Sequence, residues 1–178
     1  NMAVTPRQPG SALKPLIYAE GMDPQRPAPF TAATMFLDVQ TTFTTRKNEP
    51  YTPVNFSRTE HGPVLLRESL GASLNIPAVA ALEQIGINEM LLTLEDYGLQ
   101  TFSEPADYDL SFALGGGEVR LLDLTGAYAA FANGGSRIEP QLILEITDVA
   151  GEVVHRPESA SPVQILDARV AWLVSDML

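Results

Sequence analysis

A chain of 178 residues that is 45% hydrophobic can bury one core, and with only 7% aromatic residues that core should be mostly aliphatic and alanine-rich. A formal charge of -11 sets the surface against phosphate backbones and anionic lipid faces, which excludes general nucleic-acid binding. The absence of cysteine excludes thiolate catalysis, disulfides and cysteine-ligated zinc, and no apolar run approaches the ~20 residues that cross a bilayer. Asn1 to Gly10 lacks a charged-then-apolar export pattern, so a membrane anchor is expected outside this stretch.

The first ordered signal is Pro9-Gly10-Ser11-Ala12-Leu13-Lys14-Pro15, where Gly10 ends an irregular approach and Ser11 opens a helix that tolerates Pro15 in its first turns. Met22 to Tyr51 is proline-rich and without a sustained period, and it reads as a loop with extended backbone at Thr41 to Thr45. From Pro63 the helical period takes over. Helices are expected over Pro63 to Leu70, Ile76 to Ile85, Asn88 to Tyr97 and Glu118 to Asn133, with Gly71, Gly86, Gly98 and Gly134 beyond their ends. Gln141 to Val149 alternates as a strand, Asp148 to Gly151 turns, Glu152 to His155 returns, and Asp167 starts a last helix with Trp172 in its core face. That helical pattern stops in mid-flow, and the chain is expected to be a fragment.

Ser11 and Lys14, three apart, share one helix face. An amine there can take the serine proton if burial or positive charge depresses its pKa, and a helix N-terminus favours negative charge developing on an attacked carbonyl. Taken alone the spacing is equally met by a helix cap followed by a solvated lysine.

The flanks add more. Arg7-Gln8-Pro9-Gly10-Ser11-Ala12-Leu13-Lys14-Pro15 resembles the active-serine segment of class A, bifunctional penicillin-binding proteins, and Ala72-Ser73-Leu74-Asn75-Ile76-Pro77-Ala78-Val79 resembles the segment around that family's Ser-x-Asn motif. Tyr51 to Phe56, His61 to Val64, Ala113 to Val119 and Ala127 to Gly135 continue the resemblance in order as far as about Pro140.

The resemblance implies an α+β serine D,D-transpeptidase/β-lactamase-like fold, of which this chain is mostly the helical subdomain. It implies that Ser11 attacks the D-Ala-D-Ala carbonyl of a peptidoglycan stem peptide and forms an acyl-enzyme, and that β-lactam antibiotics acylate the same hydroxyl. Lys14 is then the general base, Ser73 relays a proton to the leaving D-alanine, and Asn75 binds Lys14 and the substrate amide. No cofactor and no metal is implied, and the site is placed outside the cytoplasm. A simpler role for Ser73 and Asn75, compatible with this one, is to cap the helix at Ile76.

The family's third motif, Lys-Thr-Gly or a close variant on a strand edging the site, does not occur: the two lysines are Lys14 and Lys47, and Thr45-Arg46-Lys47 has no glycine after it. That strand is expected beyond Leu178. The 178 residues as a piece should therefore be nearly inactive, because losing one oxyanion-hole donor costs ~100- to 1,000-fold. They should also leave an apolar edge and helix face for the rest of the domain or another chain to cover. The residues thus read as residues 1 to 178 of an incomplete transpeptidase domain, its N-terminal and central part. The alternatives are a penicillin-binding-like sensor or scaffold that does not turn over, and a serine β-lactamase, which lacks a clear glutamate-bearing loop here. Gly115-Gly116-Gly117 has no Lys-Ser/Thr after it and reads as a tight turn, not a phosphate cradle. His61 is expected at the cleft wall and His155 on a solvated strand end, too far apart for a zinc pair.

Overall fold

A computed structural model describes residue 1 and residues 3–102, 104–158 and 160–178. Its centre is helix α1, Lys14–Gly21, entered through a 3-10 turn over Gly10–Leu13. Every residue of α1 is buried, as expected of a helix whose circumference is apolar nearly all round. Leu16 and Ile17 are 0% exposed, and each contributes about 1.5–3 kcal/mol by leaving water. Around α1 pack α2 (Leu66–Gly71), α3 (Asn75–Ile85), α4 (Ile87–Asp96) and α6 (Ala168–Met177). Helix α5, Leu121–Ala132, lies against α6. Pro77 falls in the first turn of α3, where its missing amide hydrogen costs nothing, and Gly86 ends that helix at φ 91°.

The strands form four antiparallel two-stranded ribbons among the described residues. β1 (Met35–Asp38) pairs with β4 (Gly62–Leu65) in the register Met35↔Leu65 to Asp38↔Gly62. β2 (Phe43–Thr44) pairs with β3 (Pro50–Tyr51), β5 (Ser136–Arg137) with β8 (Val163–Gln164), and β6 (Ile146–Thr147) with β7 (Val153–His155). Helices and short ribbons together give the expected α+β class.

Several expected elements are corrected. The Pro63 helix is a strand as far as Leu65 and a helix only from Leu66, because β4 spends its backbone groups on β1, whose partner residues lie 24 to 30 positions away in sequence. By the same pairing Met22 to Tyr51 is not all loop: β1 alternates exposed and buried, but four residues are too few to register as a period. Helix α5 starts at Leu121 and not Glu118, since Val119 exchanges both backbone hydrogen bonds with Arg7 at 2.9 Å. Only Ile146–Thr147 of the Gln141 strand is paired. Trp172 is 65% exposed, because α6 turns Val170, Ala171, Val174 and Met177 inward and Trp172 falls on the opposite side of the turn.

Candidate functional site

Ser11 stands in the 3-10 turn at the N-terminal end of the buried helix, itself exposed. Three contacts hold that turn. Arg7 and Val119 bridge just before it. Tyr128 Oη donates to the Ala12 carbonyl at 2.9 Å. Gly115, at φ 90°, presses against Gly10 so closely that a Cβ there would lie 2.3 Å from the Gly10 nitrogen. Gly117 is equally confined, between the rings of Phe102 and Phe112, which with Tyr108 form an edge-to-face cluster. The glycine run is thus a tight turn, as its sequence suggested, and its smallness lets two backbone segments meet behind Ser11.

Lys14, one helical turn on from Ser11, is 1% exposed. Its Nζ donates to the Ser73 carbonyl at 2.6 Å, to Asn75 Oδ1 at 2.7 Å and to Ser73 Oγ at 3.2 Å. Three acceptors match the three donors of an ammonium group. Burial outweighs them and pulls the Lys14 pKa from its ordinary value near 10.5 down to about 8. On the order of a tenth of the amine is then neutral at pH 7. Among the described residues no hydrogen bond joins the Ser11 hydroxyl to Lys14.

The backbone around Ser73 explains how one short segment supplies all three acceptors. Ser73 takes φ 53°, a left-handed conformation uncommon outside glycine. Its amide donates to the Leu70 carbonyl and the next amide, Leu74, to the Ser69 carbonyl, both at 2.9 Å, so the chain leaves α2 in a closed turn. Asn75 then opens α3. Its Nδ2 donates to the Val54 carbonyl at 2.7 Å, which leaves Oδ1 to face Lys14. The reversed amide would set a donor against the ammonium and an acceptor against a carbonyl.

The fold therefore unites Lys14, Ser73 and Asn75 by direct contact and sets Ser11 at the end of the same helix. His61, expected at the cleft wall, is half-exposed and bonded to Asp38. His155 lies exposed on β7, as expected. Sequence reasoning gave no role to Asn55, whose Oδ1 accepts the Asn75 amide at 2.8 Å, and passed over Asp38 altogether. No local signal marks a lone aspartate at the end of a short strand.

A sequence profile described as penicillin binding protein transpeptidase domain matches residues 1–178. Penicillin-binding protein 2D of Bacillus subtilis (strain 168) is 33% identical over 174 residues, which is 97% of this chain and 24% of that protein. The chain spans about a fifth to a quarter of the length of such curated relatives. Among solved structures, penicillin-binding protein 1A from Haemophilus influenzae superposes with a TM-score of 0.85 at 24% identity, over all of this chain and 30% of that one. Penicillin-binding protein A from M. tuberculosis, solved as an imipenem acyl-enzyme complex, gives 0.83 at 17% identity over 99% of this chain and 44% of that one. At such identities these two likenesses speak for the fold.

Proposed function

This chain belongs to the penicillin-binding protein transpeptidase domain family, and from that premise we propose that it carries the acylating half of a peptidoglycan D,D-transpeptidase site. Ser11 is the nucleophile in this reading, Lys14 its general base, Ser73 the proton relay and Asn75 the group that holds Lys14 and a substrate amide. The observation that carries it is the buried Lys14 amine, one turn from an exposed serine, with its pKa pulled down to about 8.

The steps follow from those positions. Neutral Lys14 keeps two N–H donors for its acceptors and offers a lone pair to the Ser11 proton. The Ser11 oxygen attacks the carbonyl carbon between the two D-alanines, a C–O bond forms, and the tetrahedral oxyanion stands at the positive end of the helix. When the C–N bond breaks, the departing D-alanine amine needs a proton. Lys14 supplies it through Ser73 Oγ, 3.2 Å away. An amine of a second stem peptide then displaces Ser11 from the acyl-enzyme and forms the crosslink. In a β-lactam the broken C–N bond lies in a ring, so its nitrogen stays tethered and the ester on Ser11 persists.

The same reading makes these residues the N-terminal and central portion of a transpeptidase domain that works outside the cytoplasm. Further polypeptide then supplies the Lys-Thr-Gly-type strand that edges the site. Fluorescent penicillin tests it in a form of the protein that includes that strand. Labelling should be stable and should disappear in Ser11→Ala, and the protein should crosslink lipid-linked peptidoglycan. Undiminished labelling of Ser11→Ala would overturn the assignment.

A further inference from the structure

The chemistry above makes no use of Asp38, yet this carboxylate is 0% exposed and surrounded by donors. It accepts from Asn55 Nδ2 at 2.8 and 2.9 Å, from the His61 amide at 3.0 Å, and pairs with His61 Nδ1 at 2.6 Å. Burying a carboxylate is costly unless its oxygens are filled in this way. Asp38 is also fixed from the backbone side, as the last residue of β1, paired with Gly62.

The consequence passes through Asn55, which is 4% exposed. Its Nδ2 is claimed by Asp38 and by the Thr59 carbonyl at 2.9 Å. The amide therefore has one orientation, and Oδ1 is turned to the backbone N–H of Asn75 at 2.8 Å. That N–H begins α3 and has no partner within the helix. The residue before it, Leu74, offers no capping side chain, so Asn55 caps the helix from a separate segment. Asn75 is held at its amide by Asn55, at its side-chain nitrogen by Val54, and presents Oδ1 to Lys14.

We propose that Asp38, acting through Asn55, is a positioning residue that sets where Asn75 and the Lys14 amine stand relative to Ser11. The proposal rests on the catalytic reading of Ser11 and Lys14. Its physical basis is polarity: an anionic acceptor at position 38 forces the Asn55 amide to point its oxygen at α3. Asp38→Asn puts an NH2 group among donors, and the Asn55 amide turns or withdraws. Asn55→Asp sets a second carboxylate against the first. The double exchange, Asp38→Asn with Asn55→Asp, restores a donor facing an acceptor between positions 38 and 55 and leaves an oxygen for the Asn75 amide, at the cost of the bond to the Thr59 carbonyl.

The test measures penicillin acylation in the penicillin-labelling form of the protein and resolves the pre-acylation affinity from the acylation rate constant, across pH. Asp38→Asn should lower the rate constant on the order of 10- to 100-fold, since small misplacements of reacting groups cost that much. Affinity should stay within about twofold, because the variant misplaces reacting groups without removing a penicillin contact. The alkaline rise of the rate should move from its wild-type position, and the double exchange should recover part of the loss. The proposal is overturned by a folded Asp38→Asn protein with wild-type rate and pH profile, by a loss of affinity alone, or by a folded double exchange that acylates as slowly as the single variants. If Asp38→Asn alone does not fold, the double exchange decides. Ser11→Ala, run beside these, separates the two failures: labelling that survives it removes the catalytic reading itself.

Discussion

Lys14 Nζ lies 2.7 Å from Asn75 Oδ1, although the two residues are 61 positions apart in sequence. The contact joins the first turn of α1 to the first residue of α3. A neutral amide oxygen there orients the amine without pinning its charge. A carboxylate in the same place would favour the ammonium and work against the proposed role of Lys14 as a base.

That distinction gives the first prediction. With Lys14 near pKa 8, acylation by penicillin should rise with pH through about that value as the neutral amine accumulates. Asn75→Asp should push the Lys14 pKa upward, move the rise to higher pH and slow labelling at pH 7 by roughly tenfold for each unit of that shift. The pH profile of fluorescent-penicillin labelling measures both.

Folding stability should carry the same signature. Lys14 has a lower pKa folded than unfolded, so between about pH 8 and 10.5 the unfolded chain holds the extra proton. Stability therefore increases with pH across that window, and the cost of the buried ammonium is fully present only below it. Tyr18 and Tyr97 act oppositely: burial raises both above the ordinary tyrosine range, and stability falls once unfolded tyrosines ionise above about pH 10. Urea midpoints should climb from pH 7 to about pH 9.5 and then drop, and the climb should be missing in Lys14→Met.

Two glycines beside Ser11 should respond unequally to a methyl group. Gly10 has φ 58° and open space around a new Cβ, so Gly10→Ala should cost only the left-handed strain of about 1–2 kcal/mol. Gly115 has φ 90° and would drive its Cβ into the Gly10 backbone. Gly115→Ala should add backbone displacement to strain, cost roughly 3 kcal/mol or more, and move Ser11 enough to slow acylation. Denaturation midpoints together with labelling rates distinguish the two variants. Equal effects would count against the close approach of Gly115 to Gly10 as the device that places the Ser11 turn.

The long helices could be read from the chain because their signals are local. Ile76 to Ile85 carries its own period, a proline in its first turn and a glycine after its end, and the structure starts it one residue earlier, at Asn75. Strands β1 and β4 could not be read this way. Each has four residues, and each exists only because the other supplies its hydrogen bonds. Trp172 misled for a related reason: a large apolar residue in a helix invites a core position, but the neighbours of α6 decide which face is covered.

By itself the sequence determined which groups the proposed chemistry calls on: Ser11 and Lys14 one turn apart, and Ser73 and Asn75 in a segment whose flanks carry a recognisable family pattern. Tertiary structure decided the state of those groups. Burial, which depends on everything packed around α1, lowers the Lys14 pKa. The left-handed turn at Ser73 aims a carbonyl and a hydroxyl at one amine. The line from Asp38 through Asn55 to Asn75 joins residues 17 and 20 positions apart by polarity and distance alone. Periodicity and motif spacing record what a chain does with its near neighbours, and such contacts leave no trace there.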